Sequence, residues 1–320
     1  MEIHLAPMTH DRYPTWVRET VGGFAAQQAA AGVLPEREAR DQAEREFDRL
    51  LPEGLHTPGH HVWSAFHGSA EVGYLWLGVA EQADGVEGFV YDVAVASRLR
   101  GRGYGRAIVT AGEERARALG VTTMRLNVFG HNDVARNLYD SLGYRTTTTR
   151  MSLRLDGTDP PGIPSLRLEP QTPDQQLFTG YDGQLDVGHV RVQVIARSDG
   201  RHALAADLEV RAGLRRRGYG RGLVVAVERF CRAQGVRSVA VDVPGGDPGA
   251  RRLFDRLGFE VAATLMAKPL RKAPRCNPGP GSTQVTAAVG AICAVSARPA
   301  GRLLLAVLPH GTDRTNLRSA

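Results

Sequence analysis

R-G-R-G-Y-G spans residues 100–105, R-R-R-G-Y-G spans residues 215–220, and each is followed by one more arginine, Arg106 and Arg221. An apolar run leads into each turn (Val90 to Val95, Ala205 to Val210). In the first case a helix-like segment with apolar residues at Ile108, Val109 and Leu119 leads out. This order of strand, glycine-rich turn and helix suits an anion. Glycines at 103 and 105 can take positive φ and let a ligand approach the backbone with no Cβ in the way, and successive amides at a helix start point toward negative charge. Arg100, Arg102 and Arg106 would add charge around a pyrophosphate. Two better-known phosphate loops do not fit. A dinucleotide fingerprint needs G-x-G-x-x-G, but Gly103-Tyr104-Gly105 is followed by Arg106, Ala107 and Ile108; a P-loop needs G-K-[ST], and the only lysines are Lys268 and Lys272.

The recurrence is not confined to the turn. When Glu71 to Tyr144 is placed on Asp186 to Phe259, at a constant offset of 115, 29 of the 74 positions are identical without a gap. This is the mark of a duplicated domain. Upstream, IHLAPMT (3–9) pairs with LRLEPQT (166–172) at an offset of 163, so the second copy lacks 48 residues. In the first copy that region contains DRYPTWVRETVGGFAAQQAA and EREARDQAEREFDRLL, two stretches with helical apolar spacing. The reading is a complete domain at 1–154, a Pro- and Gly-rich linker at 155–165, a shortened domain at 166–270, and a tail at 271–320. The tail's short apolar pieces read as a poorly ordered extension, or as a partner-binding or surface-anchoring segment.

Whole-chain composition narrows the partners. The 320 residues carry a formal net charge of +6, almost all of it from arginine, yet acidic residues alternate with the arginines in most segments. That is the pattern of a solvated surface, and it argues against a nucleic-acid-binding face. Cys231, Cys276 and Cys293 lie far apart with no CxxC pair, which suggests neither zinc nor a disulfide framework. No signal peptide or membrane-spanning run is legible, so the expected compartment is the cytoplasm. Four histidines in HTPGHHVWSAFH (56–67) match no standard ligand spacing, and no metal is expected.

A second motif completes the pattern. LNVFGHNDVARNLYDSLGY (126–144) reads as a strand ending at Phe129, an N-cap at Asn132 or Asp133, a short helix with Ala135, Leu138, Tyr139 and Leu142 on one stripe, and a closing Gly143. With VAVASRLRGRGYG (93–105), this resembles the GNAT superfamily of acyl-CoA-dependent N-acetyltransferases, over roughly 1–154 in full and 166–270 in shortened form. The resemblance implies an α/β (α+β) fold repeated in tandem. Each copy would be a mixed, twisted sheet with flanking helices, its fourth and fifth strands splayed so that pantetheine lies between them like an added strand.

The resemblance also implies the chemistry: acetyl transfer from acetyl-CoA to an amine, with a small-molecule amine or a protein amino group as acceptor and no metal. Backbone at Val93 and Val95 and the loop Arg100, Gly101, Arg102, Gly103, Tyr104, Gly105 and Arg106 would hold the coenzyme, and Asn132 would contact its pantetheine arm. Arg215, Gly218 and Gly220 are the corresponding cofactor residues of the second copy. Tyr139 matches the tyrosine that protonates the leaving sulfur; on an apolar stripe it also reads as a core residue. The aligned Phe254 indicates that packing needs only the ring. Many family members carry a Glu on the strand before the loop. The second copy has Glu209 there, whereas the first has Ala94. Asp92, two residues away on the same strand face, is therefore the candidate base, although its aligned partner Asp207 fits a shared structural role equally well. His131 reads as a loop residue. Trp16, Phe24, Trp63 and Trp76 could line an acceptor pocket or belong to the core. Two alternatives stay open: a tandem enzyme like mycothiol synthase, and a non-catalytic acyl-CoA sensor or scaffold.

Overall fold

The computed structural model describes residues 1–30, 36–83, 85–156, 165–171, 176–197 and 200–270. The expected tail at 271–320 and most of the 155–165 linker lie outside the described residues. The first repeat runs β1 (His4–Pro7), α1 (Tyr13–Ala30), α2 (Glu36–Leu50), β2 (His60–His67), β3 (Ala70–Gln82), β4 (Gly85–Val95), α3 (Tyr104–Ala118), β5 (Thr123–Phe129), α4 (Asp133–Ser141) and β6 (Arg145–Arg154). The second runs β7 (Arg167–Pro170), β8 (Leu177–Asp182), β9 (Leu185–Arg197), β10 (Gly200–Val210), α5 (Tyr219–Ala233), β11 (Val236–Pro244), α6 (Pro248–Arg256) and β12 (Glu260–Pro269). The expected mixed α/β architecture is thus present twice. Its second copy passes from β7 to β8 without room for counterparts of α1 and α2. Among the described residues no helix is long and apolar enough to cross a membrane.

Compactness divides the chain differently from the repeats. One unit comprises Met1–Pro14, Asp48–Leu126 and, among the described residues, 268–270; the other comprises Thr15–Phe47 and Asn127–Ala267. Each therefore contains chain from both repeats.

In the first unit β1, β2, β3 and β4 form an antiparallel meander, with β5 parallel to β4 at its side. Leu75 and Leu77 of β3, Ile108, Val109 and Ala116 of α3, and Met124 and Leu126 of β5 are fully buried, which identifies the α3-covered face as the core. Burial of a side chain of this size contributes about 1.5–3 kcal/mol. A Cβ at Gly112 would lie 2.8 Å from Leu75 Cδ1, so glycine is what lets α3 settle on β3. At the far end of α3, Glu113 is almost completely buried and accepts two 2.7 Å hydrogen bonds from Lys268 Nζ and one of 3.4 Å from Arg117. Arg117 also donates to the Leu270 carbonyl, and the Leu270 amide donates to Thr122 O. The end of the second repeat is thus fastened to a helix of the first.

The second unit has the strand order β12-β6-β11-β10-β9-β8-β7. The last strand of the first repeat, β6, is antiparallel to β11 over Thr148–Arg154 and antiparallel to β12 on its other side. Its Met151 belongs to the core with Val224, Val227, Cys231, Val239, Val241 and Phe254. Directly across the ladder, Arg150 grips Asp242 with two hydrogen bonds of 2.7 and 2.6 Å.

Candidate active site

The bend that shapes the candidate site lies in β4. The pairing with β3 slips between Trp76↔Asp92 and Leu77↔Val90, leaving Tyr91 as the extra residue of a β-bulge. The parallel pairing with β5 covers only Glu87–Val90 against Thr123–Leu126 and ends where the bulge begins. The expected splay of the fourth and fifth strands starts there. Backbone groups of alternate strand residues point to opposite sides. The Ala96 amide donates to Val72 O on the β3 side, which turns the amides of Val93 and Val95 the other way, toward the side where pairing with β5 has ended. Arg100 Nε donating to Val95 O at 3.3 Å confirms that direction. The second repeat repeats the geometry: the parallel pairing of β10 and β11 ends at Ala205↔Val241, and the β9 register slips between Ala206 and Glu209.

From there the chain enters the glycine turn. Gly103 is the N-cap of α3 at φ 86°, a left-handed conformation that disfavours side chains, and a Cβ built on it would meet nothing within 4 Å. Gly101 is also left-handed, at φ 75°, and equally open. Arg100, Arg102 and Arg106 are exposed around this cradle, while Tyr104 and Gly105 open the helix half-buried. Tyr104 Oη lies 3.2 Å from His67 Nδ1. An open, amide-lined, left-handed turn with arginines at its rim fits a pyrophosphate, which is the fit that coenzyme A demands.

Asp92 lies on the sheet face opposite α3 and accepts a 2.9 Å hydrogen bond from Tyr74 Oη. Tyr74 was not singled out from the sequence, although its place across from Ala94 is a consequence of strand alternation. Around this pair Trp76 stacks on Tyr91, with centroids 4.7 Å apart, and donates from Nε1 to His60 Nδ1 at 3.0 Å. Burial and the neighbouring His61 depress the His60 pKa. The four histidines of 56–67 have separate partners: His56 packs on His10, His60 on Trp76 and Tyr91, His61 on Trp63, and His67 on Tyr104.

The second motif belongs to the other compact unit. Asn132 is the N-cap of α4 and accepts from the Ala135 amide at 3.0 Å, which leaves its side-chain NH2 for another acceptor. His131 is exposed and stacks on Phe129, and Phe24 of α1 packs at a tilt on the same Phe129 ring. Trp16 is wholly buried against Phe47 and is a core residue. Tyr139 is 5% exposed and meets Tyr144 edge to face, with centroids 5.4 Å apart at 68°; Phe254 is 6% exposed and meets Phe259 at 5.1 Å and 65°. The two rings meet their neighbours alike, edge to face, and Tyr139 carries a hydroxyl besides.

Comparison with known proteins identifies the family. The acetyltransferase (GNAT) family profile matches residues 28–144 and again 154–259, and the chain belongs to that family. It is 33% identical over 156 residues to the uncharacterized N-acetyltransferase YycN of Bacillus subtilis, covering 48% of this chain and all of that one. It is 41% identical over 86 residues to the mycothiol acetyltransferase of Thermobispora bispora, covering 26% of this chain and 29% of that enzyme. The solved GCN5-related N-acetyltransferase of Sphaerobacter thermophilus shares the fold over 85% of this chain and 97% of its own, with a TM-score of 0.52 at 19% identity. The chain is accordingly an N-acetyltransferase of the GNAT family, whose members use acetyl-CoA and an amine acceptor.

Proposed function

We propose that the glycine turn of the first repeat holds acetyl-CoA for transfer to a small-molecule amine or protein amino group, and that the second repeat, 166–270, is a reduced copy without turnover of its own. The observation that supports this most directly is the matched pair Tyr139 and Phe254. The same buried ring position carries a phenol only in the first repeat, so filling the position does not by itself require a hydroxyl.

Acetyl-CoA supplies, when bound, an acetyl group activated as a thioester. The chain's own groups divide the remaining work. Gly101 to Arg106 and Arg100 receive the pyrophosphate, and the outward amides of Val93 and Val95 take the pantetheine arm as an added strand and polarise the acyl carbonyl. The side-chain amide of Asn132 is a further contact for that arm. Asp92, held by Tyr74, accepts the proton that the amine loses, and Tyr139 gives one to the departing sulfur. Transfer then leaves an amide and a free thiol, with protons balanced between the two groups.

A narrower reading, a mycothiol-synthase-like enzyme, draws on the 41% identity to the Thermobispora bispora protein, but that likeness spans only 29% of it. The missing helix pair in the second repeat counts against it. The test for both readings is free-thiol release by the full chain across a panel of amines, amino acids, peptide amino termini and the mycothiol enzyme's substrate. Turnover with an amine outside the mycothiol pathway supports the main reading. Coenzyme A binding with no thiol release against the whole panel would replace it with an acyl-CoA sensor.

A further inference from the structure

Tyr91, the extra residue of the β4 bulge, lies on a bed shaped for its ring. A Cβ built on Gly78 would stand 2.5 Å from Tyr91 Cε2, so the ring rests across β3 at a point where only glycine leaves room. The Gly78 backbone is not left-handed, so space is what this glycine supplies. Trp76, two residues earlier on the same strand face, stacks on Tyr91 with centroids 4.7 Å apart. His60, directly across from Gly78 on β2, packs on the tyrosine at 5.3 Å, and Phe89 meets it edge to face at 5.0 Å. Trp76 is itself fixed by its 3.0 Å hydrogen bond to His60 Nδ1. Three rings and a glycine therefore define one place for the Tyr91 side chain, and with it one place for the extra residue of the strand.

The second repeat bulges in the same part of its strand without this bed. At the offset of 115, Gly78 becomes Gln193, Trp76 becomes Arg191 and Tyr91 becomes Ala206. There the ladder continues one residue further, with Ala206 on Arg191 where the first repeat has Asp92 on Trp76, and it resumes at Glu209↔His189. Asp207 and Leu208 both fall in the irregularity, and Asp207 takes a left-handed φ of 51°. In the first repeat the ladder resumes at once, with Asp92 on Trp76 and Val93 on Leu75. Leu208 is the counterpart of Val93. The difference between the copies thus falls on the residue whose amide faces the splay.

We propose that Tyr91 is a positioning residue for the acyl donor: its ring, seated on Gly78 against Trp76 and His60, confines the bulge to a single residue and so holds the Val93 amide toward the pantetheine arm. Tyr91 acts through the backbone and touches no reacting atom. Where pairing with β5 has ended, no neighbouring strand registers β4 on that side, and its conformation has to be set from the β3 side, where the ring lies. The glycine turn is anchored separately, by Arg100 on Val95 O, so the seating of the ring and the reception of the pyrophosphate are separable. The inference rests on the reading that the first repeat binds the donor, and it adds the residue that sets the pantetheine half of that site.

The test is calorimetric titration of the full chain with coenzyme A and with its 3′-phospho-ADP half, which has the phosphates and no pantetheine. Tyr91→Ala is expected to weaken coenzyme A about tenfold and the nucleotide half less than about twofold, since the stacking that seats the strand is lost while the glycine turn is untouched. Gly78→Ala keeps every ring but sets a methyl group where Tyr91 lies, and should shift the two affinities in the same unequal way. Combining the two substitutions should cost no more than Tyr91→Ala alone, because the methyl group then has no ring to displace. Equal weakening of both ligands, coenzyme A affinity unchanged by either single substitution in a protein shown by circular dichroism to be folded, or additive losses in the double variant overturns the inference while leaving the donor reading intact. No binding of either ligand by the folded wild type overturns both.

Discussion

Set beside each other, the turn at 100–106 and the turn at 215–221 show how little of a binding site a motif specifies. Both place a left-handed glycine at the N-cap of a fifteen-residue helix, Gly103 at φ 86° and Gly218 at φ 88°. Both are anchored by an arginine to the end of the preceding strand. What separates them lies outside the glycines: in the second, Glu209 on Arg215, Asp182 on Tyr219 and, along the chain, a phenylalanine where the first repeat has Tyr139. Backbone shape survives duplication because glycine φ and helix capping are local. In the proposed function chemistry is lost sooner, since single side chains carry it and packing does not defend them.

The comparison breaks most readily at the glycines. Gly103→Asp and Gly218→Asp impose the same left-handed strain and the same charge on two equivalent turns, so strain cancels between them. Gly103→Asp is expected to abolish thiol release, and Gly218→Asp to leave it within about threefold, since in the proposed function the second turn has no part in the transfer. Cys231 reports whether the second repeat stays folded. It is buried, and burial pushes its thiol pKa up to about 12, so in a folded protein the Cys231 peptide should remain unalkylated in mass spectrometry. Loss of activity in a folded Gly218→Asp variant would make the shortened copy the working one.

Next in size is the ring pair. Tyr139→Phe should retain the fold and lose about 10- to 1000-fold in kcat, the effect of removing a general acid, with little change in coenzyme A affinity. Phe254→Tyr should change neither. Wild-type turnover by Tyr139→Phe across pH would return the residue to the core.

A third test concerns stability. Lys268→Ala leaves the buried Glu113 with Arg117 alone and is expected to cost about 3 kcal/mol in chemical denaturation. The aligned glutamate of the second repeat, Glu228, is bonded by Arg232 at 3.3 Å, and the residue aligned with Lys268 is Leu153. Leu153→Ala should therefore act only through lost packing. If both substitutions cost the same and neither depends on salt, the lysine contact is a packing contact as well.

The smallest effect is expected at Arg216, which sits at φ 63° where the first repeat has Gly101 at φ 75°. Arg216→Gly should stabilise the chain by about 1 kcal/mol, the cost of a side chain in that region, readable as a rise in the denaturation midpoint. No change would mean that Arg216 recovers its strain through contacts of its own.

Much of this was legible before the structure. The repeat, the two turns, the helix pair absent from the second copy, a cap at Asn132 or Asp133 and the exchange of Tyr139 for Phe254 are written in short windows. Turn chemistry, capping and apolar period each act over a few residues, and the constant offset of 115 aligns the two copies without any fold. What the sequence by itself could not decide was which strand joins which edge. RTTTTRMSLR of β6 and EVAATLMAKP of β12 occupy equivalent places in the two repeats and alternate alike, so either could complete either sheet. The structure puts β6 between β11 and β12, with Arg150 on Asp242, and fastens Lys268 to Glu113. Strand pairing is selected by open backbone edges and buried partners that are far apart in the chain, and so is the contact of Tyr74 with Asp92 on the neighbouring strand. Those are decided only when the sheet bulges at Tyr91 and at Asp207 and sets the side chains of neighbouring strands and turns against one another.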